Sequence, residues 1–223
     1  MKLIIANWKM NPDNSLEAKE LFRFFDDIES DNEVVICPPF AFLGLAPERT
    51  VLGGQNCFWK KEGSFTGEVS PLMLKDMGCR YVIIGHSERR DIFGENNEII
   101  NKKIKAVLEA GIIPILCVGE KKGDNANRVV VRQLEKGLEG IDSSNVIIAY
   151  EPVWAIGTGD FCSPEKADEI RKIIKEKVKS KILYGGSVNS KNVKSYIDKG
   201  FDGVLVGGAS LKKEEFVSLV KNA

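Results

Sequence analysis

Histidine is almost absent from this chain: 223 residues contain one, His86. A typical structural zinc site needs four nitrogen or sulfur ligands, and the five cysteines (Cys37, Cys57, Cys79, Cys117, Cys162) form an odd set with no CxxC pair. Structural zinc and a disulfide framework are therefore not expected. Net charge is missing too, with Lys+Arg and Asp+Glu at 32 each, so no overall field draws the protein to nucleic acid or to an anionic membrane. Any anion it binds must be caught locally. Long hydrophobic runs are lacking as well. The opening MKLIIANWKMN holds only a short apolar run before Asn7, less than the core of a signal peptide, and no stretch reaches the length of a membrane span. The expectation is a cytoplasmic protein with neither nucleic acid nor membrane as partner. There is no Walker-type GxxxxGK[ST] and no GxSxG elbow, and GTGDFC at 157–162 lacks the third glycine of a dinucleotide fingerprint. No metal, nicotinamide or other cofactor is assigned.

What is present is a regular alternation. Short apolar runs recur as LIIANW from Leu3, EVVIC from Glu33, VLGGQN from Val51, YVIIG from Tyr81, IIPILCVG from Ile112, VIIAY from Val146, KILYGG from Lys181 and GVLVGG from Gly203. Between most of them lie amphipathic segments with apolar spacing of three and four, such as Ala18, Leu21, Phe22, Phe25 and Ile28. A helix over 164–179 starts with Ser163 as N-cap and Pro164 at its first position. Strands that are apolar throughout, rather than alternately, belong to a parallel sheet covered by helices. The pattern predicts a (β/α)8 barrel, a closed parallel eight-stranded sheet with outer helices; a doubly wound open sheet fits the same pattern. At 43% hydrophobic and with no linker-like stretch, residues 1–223 read as one domain.

Asn7, Lys9, His86, Glu151, Ser187, Gly207 and Gly208 all fall just after the apolar runs. In a parallel barrel those ends share the face on which active sites are built. Glu151 precedes Pro152, which holds it extended, and a loop with glycines at 157 and 159 follows, the pattern of a fixed base beside a hinged flap. An isolated Glu-Pro is more often a surface residue, but the apolar Val153, Trp154, Ala155 and Ile156 are unusual in a solvent loop. His86 precedes Ser87–Arg90, a polar run suited to the first turn of a helix, where the dipole favours a neutral imidazole able to donate a hydrogen bond. Taken alone, a single histidine is more often structural. Lys9 is expected on the same face as Asn7 by strand alternation, with a substrate anion or Glu88 as its counter-charge. The glycines at 157 and 159, 185 and 186, and 207 and 208 can bring backbone N–H groups close to a phosphate, although glycines are also common in turns.

Together ANWKMN, GQN with FTGEVSP, GHSERR, CVGE, YEPVWAIGTG, YGGSV and VGGASL closely resemble the triosephosphate isomerase family, from Ala6 to the end of the chain. The resemblance implies interconversion of dihydroxyacetone phosphate and D-glyceraldehyde 3-phosphate, in glycolysis and gluconeogenesis, without a cofactor. It implies Glu151 as base, neutral His86 as electrophile, Lys9 and Asn7 near the substrate oxygens, and N–H groups at Gly157, Ser187, Gly207 and Gly208 on the phosphate, beneath a flap at 152–159. This family is itself a standard illustration of histidine tuning and lid closure, so those properties come with the resemblance. Residues 55–68 match its interface loop, with Thr66 reaching a partner's site. That implies a homodimer, although the chain is short for a barrel and compact members include tetramers. Two other readings stay open on the residues: another phosphate-binding barrel isomerase, and a non-catalytic phosphosugar-binding barrel. The second would be expected to have lost one of Asn7, Lys9, His86 or Glu151, and all four are present.

Overall fold

The computed structural model describes residues 1–26, 28–155 and 161–223. Each of the eight apolar runs coincides with a strand, the fourth of which starts two residues before its run: β1 (Leu3–Asn7), β2 (Glu33–Cys37), β3 (Leu52–Gly54), β4 (Cys79–Ile84), β5 (Ile113–Val118), β6 (Ile147–Tyr150), β7 (Ile182–Tyr184) and β8 (Gly203–Val206). All neighbours pair parallel, and β1 joins both β2 and β8, so the sheet closes on itself as a (β/α)8 barrel and the open-sheet alternative falls away. Among the described residues eight α-helices surround it: α1 (Ser15–Asp26), α2 (Pro71–Asp76), α3 (Ser87–Ile92), α4 (Asn97–Glu109), α5 (Ala126–Gly137), α6 (Pro164–Lys177), α7 (Val193–Asp198) and α8 (Lys213–Asn222). They are not distributed one per strand. The β2–β3 crossover is only a 3-10 turn at Phe40–Leu45, whereas α3 and α4 both follow β4.

Strand periodicity sorts the core into two layers. Leu3, Ile5, Val35, Ile83, Ile115, Ala149, Leu183 and Leu205 pack together inside the barrel, while their alternates, among them Ile4, Ala6, Ile36, Val82, Leu116 and Ile148, pack with residues of the helices. Asn7 continues the inward series of Leu3 and Ile5, Glu151 that of Ile147 and Ala149, Gly185 that of Leu183, and Gly207 that of Leu205. The barrel thus fills its interior with hydrocarbon up to its carboxyl-terminal rim and carries its polar groups there.

Beside that rim, Trp8 lies 4.8 Å from the Phe22 ring and 5.7 Å from Phe25, and Phe25 lies 4.8 Å from Phe216, joining β1, α1 and α8 where the first strand meets the last. Each such buried ring contributes about 1.5–3 kcal/mol of transfer free energy, which anchors the segment carrying Lys9. α6 begins as its sequence suggests, with Ser163 accepting from the Lys166 N–H, but it ends at Lys177 rather than at 179, because Val178 turns into extended backbone and buries its side chain.

Candidate active site

Asn7, at the end of β1, accepts a hydrogen bond from the Lys9 N–H at 3.1 Å. This local turn bends Lys9 out of the strand into the left-handed region at φ 54°, a conformation that costs a non-glycine residue about 1–3 kcal/mol. Strand alternation therefore does not govern Lys9, since β1 stops at Asn7; turn geometry brings it to the same cleft. Gln55 holds the strained turn from the other side, its amide donating to the Lys9 carbonyl at 2.7 Å and to the Cys37 carbonyl at 2.8 Å. The Lys9 ammonium donates to Glu88 Oε1 at 2.6 Å, and a Cβ added to Gly207 would lie 3.8 Å from that ammonium.

His86 is the N-cap of α3, and its Nδ1 accepts from the Glu88 N–H at 3.3 Å. Glu88 Oε2 also lies 3.6 Å from Nδ1, but that is beyond hydrogen-bond reach and the amide already occupies the lone pair. An accepting Nδ1 leaves the ring proton on Nε2, the neutral tautomer. Nε2 lies 3.2 Å from Glu151 Oε1.

Glu151, only 2% exposed, follows β6 and donates its N–H to the Val118 carbonyl at 2.8 Å. Two glycines shape its slot. A Cβ at Gly119 would sit 1.7 Å from the Glu151 carbonyl oxygen, and one at Gly185 would sit 2.9 Å from Glu151 Cγ. Oε2 accepts from the Ser87 N–H at 3.2 Å, whereas among the described residues Oε1 has no hydrogen-bond partner, because the contact from His86 is close in distance but misaligned in angle. One oxygen is thus anchored and the other is left unpartnered beside the imidazole. Below them the Cys117 thiol is pushed well up, first by burial and then by the Glu151 charge, so it stays protonated.

The segment after Glu151 is packed down at its start. Val153–Ala155 form a 3-10 turn, the Val153 N–H donates to the Glu120 carbonyl at 3.0 Å, and Trp154 Nε1 donates to Glu120 Oε1 at 2.9 Å. Of the apolar residues expected at a flap tip, Val153 and Trp154 are half-buried and Ala155 is buried; Ile156, Gly157 and Gly159 lie outside the described residues. Ser187 Oγ donates to the Ala155 carbonyl at 2.5 Å. Gly207 precedes a 3-10 turn at Gly208–Leu211, whose first N–H groups have no partner within the turn, and a Cβ on Gly208 would meet nothing within 4 Å.

These groups line one cleft of about 380 Å³, bounded by Asn7, Lys9, His86, Glu151, Ser187, Gly207 and Gly208. The site residues expected from the sequence that lie among the described residues all meet here; Gly157 lies outside them. Sequence reasoning missed Gln55, Gly119, Gly185 and Lys212, the last of which also lines the cleft. Gln55 and Gly119 lie inside the motifs GQN and CVGE, which signalled the family but no role for either residue, and the glycine pair at 185 and 186 pointed to phosphate rather than to a slot for Glu151.

Fold and cleft together define the class: a (β/α)8-barrel enzyme. A family model described as "Triosephosphate isomerase" matches residues 2–223. Proteins named triosephosphate isomerase are similar over nearly their full length: one from Dictyoglomus thermophilum is 47% identical, covering 99% of both chains, one from Picosynechococcus sp. is 47% identical, covering 98% of both, and one from Aquifex aeolicus is 45% identical, covering 98% of both. The chain belongs to the triosephosphate isomerase family.

Proposed function

We propose that Glu151 and His86 carry out the reaction of this family, the interconversion of dihydroxyacetone phosphate and D-glyceraldehyde 3-phosphate. The observation that carries the assignment is the unpartnered Oε1 of buried Glu151 lying 3.2 Å from Nε2 of a histidine whose other nitrogen accepts a backbone hydrogen bond. Oε1 takes a proton from C1 of dihydroxyacetone phosphate while Nε2–H donates to the carbonyl oxygen, and the C–H electron pair becomes the C=C bond of an enediol(ate). Glu151, now a carboxylic acid, returns the proton to C2, and His86 relays a proton between the two oxygens. One hydrogen moves between adjacent carbons and no electrons leave the substrate, so the step requires no redox partner.

Asn7 and Lys9 orient the substrate oxygens and supply positive charge. Gly157, Ser187, Gly207 and Gly208 receive the phosphate through N–H groups, in the position where barrels commonly hold one. Covering the cleft matters chemically, because an exposed enediolate phosphate eliminates phosphate instead of being reprotonated.

In this reading residues 1–223 work as one barrel domain, in the cytoplasm, as a homodimer, with a tetramer as the alternative assembly. In the 55–68 loop the Phe58 ring lies tilted against Trp59 at 4.0 Å and against Phe65 at 4.6 Å, and Phe65, Leu72, Met73 and Met77 are exposed, which supports burial of this stretch against a second copy. Among the described residues no helix is long and apolar enough to cross a membrane.

The test is steady-state isomerisation of D-glyceraldehyde 3-phosphate by the wild type and by Glu151→Ala in a dehydrogenase-coupled assay. Rapid wild-type turnover with a loss on the order of 10³-fold in the variant supports the assignment. A folded but inactive wild type overturns the activity, and equal rates overturn the base.

A further inference from the structure

The charges at the phosphate end of the cleft do not balance as the motif residues alone suggest. Lys9 is paired with Glu88 at 2.6 Å, so its positive charge is largely matched before a substrate arrives. Glu151 adds a negative charge to the same cleft, and His86 is held as the neutral tautomer. Among the described residues that line the cleft, a phosphate dianion meets one further cation, Lys212, beside Ser187, Gly207 and Gly208. Lys212 is exposed and makes no ion pair or side-chain hydrogen bond among the described residues.

Its backbone is fixed, although its side chain is free. The Lys212 N–H donates to the Ala209 carbonyl at 3.3 Å, closing the Gly208–Leu211 turn, and its carbonyl accepts from the Phe216 N–H at 2.9 Å, opening α8. The adjacent Lys213 turns away, its ammonium 5.7 Å from the Phe24 ring centroid. The Glu215 carboxylate accepts from Ser190 N–H and Oγ–H at 2.6 and 3.1 Å, and among the described residues it makes no ion pair with Lys212.

Helix stability does not explain this lysine. It is the N-cap of a ten-residue helix and supplies no side-chain cap, and a positive charge at a helix N-terminus opposes the dipole. We propose that Lys212 is a binding residue for the phosphate group of the substrate, drawing the dianion to the Gly207–Gly208 turn and taking no part in proton transfer; this deepens the isomerase reading above and rests on it.

For an assumed separation of about 8 Å between the ammonium and a phosphate carrying two unit charges, Coulomb attraction in a water-like medium corresponds to about a fivefold change in affinity. Salt near 0.15 M screens this to about twofold. Lys212→Met is expected to raise KM for D-glyceraldehyde 3-phosphate about fivefold at low ionic strength, with kcat within twofold of wild type and a shallower decline of kcat/KM with added salt. Isomerisation of D-glyceraldehyde, which lacks the phosphate, should be unaffected. Lys212→Arg should restore KM, Lys213→Met should leave it unchanged, and Tm should not fall in Lys212→Met.

An unchanged KM in Lys212→Met, an equal loss with D-glyceraldehyde, or an equal loss in Lys213→Met overturns the proposal. Should the wild type fail to turn over triose phosphate, the isomerase reading fails by itself. Binding of inorganic phosphate, followed by calorimetry on wild type and Lys212→Met, then decides Lys212 separately: weaker binding in the variant supports it, and equal binding refutes it.

Discussion

Replacing Gly185 by alanine tests whether the slot around Glu151 sets the rate. The backbone at Gly185 lies outside the left-handed region, so an alanine is strained by its contacts and not by its dihedrals. The new Cβ would lie 2.9 Å from Glu151 Cγ and 3.4 Å from the Tyr150 carbonyl oxygen. Carbon atoms rest at about 3.5–4.0 Å, so one of the two groups must yield by roughly 0.6–1 Å. The Tyr150 carbonyl is held by the Gly185 N–H at 2.8 Å, which leaves the carboxylate side chain to move. A displacement of about 1 Å at a reacting group costs on the order of 10²-fold in rate. Overpacking itself costs about 1–3 kcal/mol, a fall in Tm of roughly 2–10 °C for a chain of this size. The coupled isomerase assay with a thermal melt separates these effects: kcat should fall between about 10- and 100-fold with KM little changed. In the Glu151→Gln background, Gly185→Ala should have almost no further effect on kcat, because both changes act on one group. A kcat within twofold of wild type, or a full multiplicative loss in the double variant, refutes the reasoning.

Other consequences follow from the same contacts. Gln55→Ala removes both hydrogen bonds that pin the Lys9 turn, and kcat/KM should drop on the order of tenfold through relaxation of Lys9, with no comparable loss for an exposed control such as Lys19→Ala. Lys103→Met leaves Glu95 buried with Arg89 as its remaining ion-pair partner among the described residues, and should destabilise the fold by about 2–4 kcal/mol; the double change Lys103→Met with Glu95→Leu should recover most of the lost Tm. Burial pushes the Cys57 thiol from 9.0 up to about 12. The folded state then keeps a proton that the unfolded chain loses, so this contribution to stability is intact below about pH 9 and is lost as pH rises towards about 12; Cys57→Ala should flatten the alkaline decline in Tm over that window.

The strands were readable because most are apolar on both faces, Glu33 in β2 and Arg80 in β4 being exceptions near strand starts, as a covered parallel sheet requires, and α6 was readable from Ser163 and Pro164. The chain did not reveal that β2 reaches β3 through a bare 3-10 turn, because FAFLGL has helix-like spacing but is confined between Pro39 and Pro47, the latter holding Ala46 extended. Placing Lys9 by alternation reached the right face for the wrong reason, since a side chain two residues back, Asn7, bends the backbone there. The supports of the cleft were hidden because they depend on approaches between strands. Gly119 and Gly185 look like ordinary turn glycines until Glu151 is seen against both, and Gln55 is an unremarkable amide until its contacts with Lys9 and Cys37 appear. Residues that do the chemistry need rare side chains, whereas residues that position them need only the right neighbour.

The most direct test of the central claim is proton exchange, followed by NMR, in dihydroxyacetone phosphate dissolved in D2O with wild type and with Glu151→Gln, an amide of nearly the same shape that cannot accept the proton. The wild type should incorporate deuterium at C1 as it isomerises, and the variant should lose exchange and isomerisation together, each on the order of 10³-fold. Exchange in Glu151→Gln within about tenfold of wild type would mean that another group removes the proton, and the account of this cleft would be wrong.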